Sequence, residues 1–222
     1  MKSRTELLIG SEALEKLNNS HVAVFGIGGV GGHVAEMLVR AGLGTITIVD
    51  FDKVDISNIN RQIIALNSTV GKYKVDVMKE RLLDINPQVI VNTIQDKYLP
   101  DNSAKFFNTQ YDFVVDAIDM VTSKVDLIKY CHDNDINIVS AMGAGNRYSV
   151  PDFKVADISK TYNDGLCKIV RKKLREQGIN KHTVVFTDYI ANKSGYTIGS
   201  ISYYPAMCGC VISGYVINEL IK

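Results

Sequence analysis

HVAVFGIGGVGG, residues 21–32, is the stretch on which the fold turns. Its first five residues, His21 to Phe25, form a short apolar run, and the glycines follow at once at Gly26. Beyond them Val34, Leu38 and Ala41 share one face of a helix that Gly42 and Gly44 then stop. Strand, glycine turn and helix in that order open a nucleotide-binding βαβ unit. The next strand, Thr45 to Val49, ends at Asp50, nineteen positions after Gly31. That is where such units place an acid for ribose hydroxyls. Gly26, Gly28 and Gly31, with Gly29 between them, let the backbone turn tightly, approach a phosphate and pack the helix whose first amides favour anions.

Working outward, Val75, Met78, Leu82 and Ile85 repeat at helical intervals from Lys74, and Asn86-Pro87 stops them before a strand at Val89 to Ile94. Phe113 to Asp116 reads as a buried strand, Ser123 to Asn134 as a helix and Asn137 to Met142 as a strand. Further on come a strand at Phe153 to Ile158, a helix at Asp164 to Gln177, strands at Thr183 to Thr187 and Ile198 to Tyr203, and a helix at Pro205 to Ile221. The alternation predicts an α/β, Rossmann-like, doubly wound and mostly parallel sheet. One domain is expected over residues 1–222: a nucleotide-binding core over 1–145, and an extension of the same sheet over 146–222. Asp188 to Thr197 is the expected mobile loop.

The 222 residues are 46% hydrophobic and 22% charged, which excludes disorder and low-complexity arrays. With 25 basic against 24 acidic residues, a whole-surface polyanion binder is excluded, though a local basic patch is not. The four cysteines lack paired CxxC spacing, and no signal-peptide pattern or spanning apolar run occurs, so a reduced, cytoplasmic setting is expected. Cys208 and Cys210 do not share a helix face, Cys167 reads as a small buried side chain, and His33 and His132 have no ligand neighbour at metal spacing.

The glycine loop alone fits a dinucleotide dehydrogenase as well as an ATP enzyme. The polar cluster behind Asp50 decides between them, because Asp52 to Lys74 concentrates Asn58, Arg61, Gln62, Lys72 and Lys74 directly after the ribose position. A triphosphate explains that concentration. Arg61 can grip phosphate oxygens bidentately and Lys74 can act as a point charge, although a lone Arg or Lys is equally an ordinary surface cation. Asp116 and Asp119 fall at the carboxyl edge of the sheet, where one could hold magnesium between phosphates and the other cap a turn.

Taken together, Arg4, the GIGGVGG loop, VDFD at Val49 to Asp52, SNINRQ at Ser57 to Gln62, VGKYK ending at Lys74 and DAID ending at Asp119 resemble the ubiquitin-activating enzymes and the bacterial adenylyltransferases of thiamin and molybdopterin biosynthesis. The resemblance implies ATP and Mg2+ as cofactors. It implies that Asp50 binds the ribose, that Asn58, Arg61 and Lys74 contact phosphates with Asp52 and Gln62 beside them, and that Asp119 is the metal residue. Arg61, Lys74 and Asp119 are then the catalytic group. Arg4 resembles an N-terminal arginine that reaches a neighbouring subunit's phosphates, which implies a homodimer. By itself Arg4 reads as a disordered terminal cation. Met1 replaces a usual arginine, and Gly32 stands where serine or cysteine is common.

The second half resembles one branch of that superfamily, the tRNA threonylcarbamoyladenosine dehydratases, through SAMGAGN at Ser140 to Asn146, FKVADISKT at Phe153 to Thr161, the basic helix from Leu166 and the stretch from Gly199. Asp164-Gly165-Leu166-Cys167 departs from that branch's pattern. The resemblance implies ATP-dependent dehydration and cyclisation of threonylcarbamoyladenosine in tRNA, by carboxylate adenylation with release of AMP and pyrophosphate. Lys168, Arg171, Lys172 and Arg175 fall on one helix face and can track a phosphate backbone, or simply meet solvent. Tyr203 and Tyr204 read as packing residues. Three alternatives stay open: activation of the C-terminus of a small ubiquitin-like sulfur carrier, a nucleotide-regulated RNA-binding or sulfur-relay adaptor without turnover, and, more distantly, an NAD dehydrogenase. A cysteine desulfurase or sulfur acceptor is the further partner considered.

Overall fold

The computed structural model describes residues 3–192 and 198–222. Two short helices, α1 (Ser3–Ile9) and α2 (Ser11–Asn19), lead into β1 (His21–Phe25), α3 (Gly31–Ala41), β2 (Thr45–Val49), α4 (Lys74–Ile85) and β3 (Ile90–Ile94). There follow β4 (Phe113–Asp116), α5 (Val121–Asp133), β5 (Ile138–Ala141), β6 (Phe153–Asp157), α6 (Gly165–Glu176), β7 (Thr183–Thr187) and α7 (Tyr203–Leu220). The seven strands form one sheet in the order β3-β2-β1-β4-β5-β7-β6. All neighbours are parallel except β6, which runs antiparallel to β7 at the edge. The expected extension of one sheet by the second half is what forms.

The central strands are mostly apolar and almost wholly buried because helices cover both faces. Val22 and Val24 face one core with Ile46, Ile48, Phe113, Val115 and Val185, against α3, α4 and α7. Ala23 and Phe25 face the other, with Val114, Val184 and Phe186, against α5 and α6. Helix α7 lies close on α3: a Cβ added at Gly209 would sit 2.8 Å from the Val30 carbonyl oxygen. Residues 3–19, for which the sequence predicts no packed element, form an amphipathic pair of helices whose Leu14 and Leu17 are buried.

The strand expected at Ile198 to Tyr203 does not form. The backbone of this segment pairs with a loop instead: Gly199 N–H donates to Asn146 Oδ1 at 2.6 Å, and Asn146 N–H to the Gly199 carbonyl at 2.8 Å. Ile198 packs against Gly145 of that loop rather than joining a ladder, and α7 begins already at Tyr203, with Pro205 in a first turn where its missing N–H costs nothing. Part of the expected mobile loop, residues 193–197, lies outside the described residues.

Near the amino ends of β5 and β7, His132, which has no ligand neighbour at metal spacing in the sequence, meets a second histidine from far along the chain. His132 Nε2 meets His182 Nδ1 at 3.4 Å, and His182 Nε2 meets Ser140 Oγ at 2.8 Å. Fifty positions of sequence separate the two rings, so no local spacing could reveal them. Burial, with His132 and the Lys124 ammonium nearby, pushes His182 down to about 3, and Asp157 opposes the shift only in part. The unfolded chain therefore binds a proton below pH 6.5 that the folded chain refuses, so stability is full above that value and falls with pH. We expect His182→Gln to flatten the stability profile between pH 6.5 and pH 4, read by urea titration, removing a loss of up to about 2 kcal/mol at pH 5.

Candidate active site

The site is built at the carboxyl ends of β1, β2 and β4, where the strand order reverses and ligands of open sheets bind. Gly26 ends β1 at φ 90°, and a Cβ there would lie 2.6 Å from the Ala117 carbonyl oxygen. A Cβ at Gly31 would come within 1.8 Å of the Gly26 carbonyl oxygen, so no other residue closes this turn. His33 Nδ1 donates to the Gly29 carbonyl at 2.8 Å and braces the loop from behind, a structural role as expected.

Two adjoining cavities open here, of about 290 and about 530 Å3. The smaller is lined by Gly26, Gly28, Gly29, Asp50, Lys74 and Tyr98 among others. The larger lies between the glycine loop, the 143–147 loop and the start of α6. Their common wall is Gly28, Gly29, Arg61, Ala117, Ile118 and Asp119. A group transferred from one cavity to the other would pass between Arg61 and Asp119.

Asp50 reaches the smaller cavity, and its carboxylate also braces the loop: Oδ2 accepts from Ile27 N–H at 2.7 Å and Oδ1 from Asp52 N–H at 2.8 Å. Burial holds this carboxyl above the usual carboxylate range, although the Lys74 ammonium, 4.0 Å away, opposes the shift. Lys74, the first residue of α4, is buried and paired to Asp52 at 2.9 Å. Gln62 is also buried in the cavity wall, beside the place a Cβ at Gly28 would occupy, and its Oε1 has no hydrogen-bond partner among the described residues. Such an orphaned amide oxygen calls for a donor that a ligand would bring. The bare backbone of Gly28, the ammonium of Lys74 and this amide form a cradle that fits a nucleotide.

Arg61 is half-buried, and its guanidinium is anchored locally, donating to the Ser57 carbonyl at 2.9 Å and Asn60 Oδ1 at 2.8 Å. Asp119 is exposed at the junction of the cavities and makes no hydrogen bond or ion pair to the described residues. One free carboxylate on the wall shared by the two cavities fits magnesium, which takes few protein ligands. Asp116, the other acid considered, is structural: it pairs with Lys124 Nζ at 2.7 Å with both side chains wholly buried, and it accepts from Ile118 N–H at 3.0 Å. Asn58 stands behind the wall, its Oδ1 accepting from Asp55 N–H at 3.1 Å in a capping box. Arg4 lies exposed on α1 and lines neither cavity.

On α6 the cationic stripe is narrower than the sequence pattern implies. Lys168, Lys172 and Arg175 are exposed, whereas one Arg171 guanidinium nitrogen donates to the Ile158 and Thr161 carbonyls and to Thr161 Oγ1. Arg171 therefore ties α6 to the turn beneath it. Burial pushes the thiols of Cys167 and Cys208 up to about 12 and that of Cys131 up as well, so none of these three is a thiolate near neutral pH. Sequence reasoning missed Lys97, which lines the smaller cavity with its ammonium 5.1 Å from the centre of the Phe51 ring. Its place just past the end of β3, at the ligand-binding edge, is the signal that could have found it. Also missed was Arg147, buried in the larger cavity and paired to Asp164 at 3.1 Å.

The profile of the ThiF family matches residues 3–222. The tRNA threonylcarbamoyladenosine dehydratase of Bacillus subtilis is 43% identical over 239 aligned positions, covering 99% of this chain and 94% of that protein. Its Escherichia coli namesake is 42% identical over 180 positions, covering 81% of this chain and 67% of that protein. The crystal structure of Escherichia coli tRNA N6-threonylcarbamoyladenosine dehydratase in complex with ATP superposes with a TM-score of 0.94 at 36% identity, covering 99% of this chain and 93% of that one. With the profile spanning both cavities and relatives this similar over nearly its whole length, the chain belongs to the ThiF family.

Proposed function

We propose that the chain is an ATP-dependent tRNA threonylcarbamoyladenosine dehydratase. The observation that carries this reading is the pair of cavities sharing one wall, one shaped for a nucleotide and the other large enough for the group to be activated. The B. subtilis relative's name supplies the substrate class. Residues 1–222 act as one ATP-binding domain, with 146–222 facing the tRNA.

In this reading Gly26, Gly28, Gly29 and Gly31 cradle the phosphates, Asp50 meets the ribose, and Gln62, Lys74 and Arg61 line the path from ribose to phosphate, with Asn58 and Asp52 holding that path in place. The threonylcarbamoyl carboxylate, entering from the larger cavity, attacks the α-phosphorus. One P–O bond forms, the bond to the leaving pyrophosphate breaks, and an acyl-adenylate results. The neighbouring ureido group then closes on the activated carbonyl and expels AMP. Attacker and target are already joined, so proximity supplies much of the rate and no enzyme nucleophile is needed. Arg61 and Lys74 stabilise charge that grows on the phosphoryl oxygens. A magnesium ion held by Asp119 would add further neutralisation there.

Three further features belong to the proposal. Lys168, Lys172 and Arg175 guide the tRNA backbone. Leu7 and Leu8 on α1, 82% and 84% exposed, support burial against a second subunit, which would carry Arg4 to the neighbouring site. The protein works in the cytoplasm; among the described residues no helix is long and apolar enough to cross a membrane. Three of the four thiols are buried and that of Cys210 is exposed; a sulfur-transfer partner is not part of this proposal.

The test incubates the protein with ATP, magnesium and tRNA carrying threonylcarbamoyladenosine, then inspects the digested nucleosides by mass spectrometry. One nucleoside should become lighter by one water, with one AMP released per conversion and none when magnesium is left out. Light scattering on the same sample should give twice the chain mass. Unchanged tRNA, with AMP formed only on adding a ubiquitin-like carrier, would transfer the activity to the carrier-protein class.

A further inference from the structure

Chemistry on a base held in a stacked helix is sterically closed to an enzyme, so such enzymes take the nucleotide out of the stack. The cavity of about 530 Å3 lies in the range of sites that enclose a small molecule and is walled on several sides. Arg147 holds those walls together: Nε donates to the Tyr189 carbonyl at 2.8 Å, one terminal nitrogen to the Gly143 carbonyl at 2.8 Å, and the other to Asp164 Oδ2 at 3.1 Å. Asp164 in turn caps α6 through Cys167 N–H at 2.8 Å. The chamber is therefore pre-formed rather than assembled on binding.

Among the described residues its walls offer no free strand edge. The Asn146 N–H and carbonyl are spent on the Gly199 carbonyl and Asn192 N–H, and the carbonyls of Gly143 and Gly145 accept from Arg147. An extended peptide tail, which binds mainly through backbone pairing, gains little there. The chain next to the lining residues is different. Tyr148, which follows the lining residue Arg147, is 66% exposed, and Tyr203, two positions before the lining residue Pro205, is 38% exposed with its hydroxyl donating to the Tyr148 carbonyl at 2.5 Å. The hydrogen bond fixes the Tyr203 ring against the Tyr148 backbone. Gly165 and Leu166 of α6 line the chamber, and Lys168 begins the exposed cationic face one turn further along the same helix.

We propose that this chamber takes a single nucleotide extruded from an unpaired stretch of RNA, and that Tyr148 and Tyr203, close in the chain to its lining residues, stack on the bases that remain beside it. Aromatic faces hold unpaired bases in many single-strand binders, and the neighbouring phosphates would run along Lys168, Lys172 and Arg175. The inference rests on the tRNA reading above and adds how the RNA is gripped. It also moves Tyr203 out of the packing role that the sequence suggests; Tyr204, wholly buried, keeps that role.

The experiment measures binding, so that its result does not depend on turnover. The Kd of tRNA carrying threonylcarbamoyladenosine is determined by filter binding for the wild type, Tyr148→Ala, Tyr203→Ala and Tyr148→Phe, with a fully paired RNA duplex as competitor. Each alanine variant should bind about tenfold more weakly or worse, Tyr148→Phe should bind like the wild type, and the duplex should compete poorly. Where turnover is measured, the loss should appear in KM for tRNA and not in KM for ATP. Wild-type affinity in both alanine variants, or equal competition by the duplex, would overturn the proposal. Tight tRNA binding with no conversion would instead count against the catalytic reading and leave the grip standing.

Discussion

Arg61→Ala should lower AMP formation about 100- to 1,000-fold, the usual cost of removing a group that stabilises transition-state charge, while the melting temperature moves by only a few degrees. The separation is expected because Arg61 is half-buried and its guanidinium, among the described residues, is bonded only to Ser57 and Asn60 of its own turn. No distant described residue loses a hydrogen bond to it when it goes. Lys74→Ala should reduce turnover comparably but destabilise more, since Lys74 is buried between Asp50 and Asp52. Burial already raises the Asp50 carboxyl, and without the ammonium it would take up a proton more readily, which limits the damage. Steady-state AMP release and thermal melting on the same preparations check both variants. Parallel losses of activity and stability in both would show that these cations hold the fold rather than the phosphates.

The second large effect falls on a pair that touches neither cavity directly. Lys124→Ala should cost about 3–5 kcal/mol, because it strands the Asp116 carboxylate where neither partner is exposed to solvent. Lys124 Nζ also donates to the Ala141 carbonyl at 3.0 Å, so the ammonium ties β4 to β5 at the edge where the site forms. Removing both charges in Lys124→Met with Asp116→Asn should restore a good part of the loss, since an amide can still accept from Ile118 N–H and no charge is left unpaired. Urea unfolding of the single and double variants decides it. A single variant within about 1 kcal/mol of wild type would mean that water reaches the pair. Because Asp116 also anchors Ile118, the single variant should loosen the 117–119 wall shared by the two cavities.

The glycine loop, the period of α3 and α4 and the apolar runs of β1, β2 and β4 were all readable from the chain. A strand covered on both faces leaves an unbroken apolar run, and a turn with no room for a Cβ leaves glycine; each is a local consequence of local geometry. The polar segment from Asp52 to Lys74 was readable for a similar reason, since it reaches the cavity as one stretch of chain. The misread segment at 198–202 shows the limit: its isoleucines suggest a strand, but its backbone partners, Asn146 and Asn60, come from elsewhere in the chain.

By itself, then, the sequence determined the strand, glycine turn and helix around β1, the mostly parallel sheet they belong to and the run of cations beside the glycine loop, because neighbours in the chain create those features. Tertiary structure alone decided that Asp116 is a buried counter-ion while Asp119 faces the cavities, that Arg171 is tied inward and Lys168 is not, and that Arg147 clasps a second chamber. In each of these cases the partner lies on a different element, so the choice between solvent, ligand and protein is made only when the elements pack.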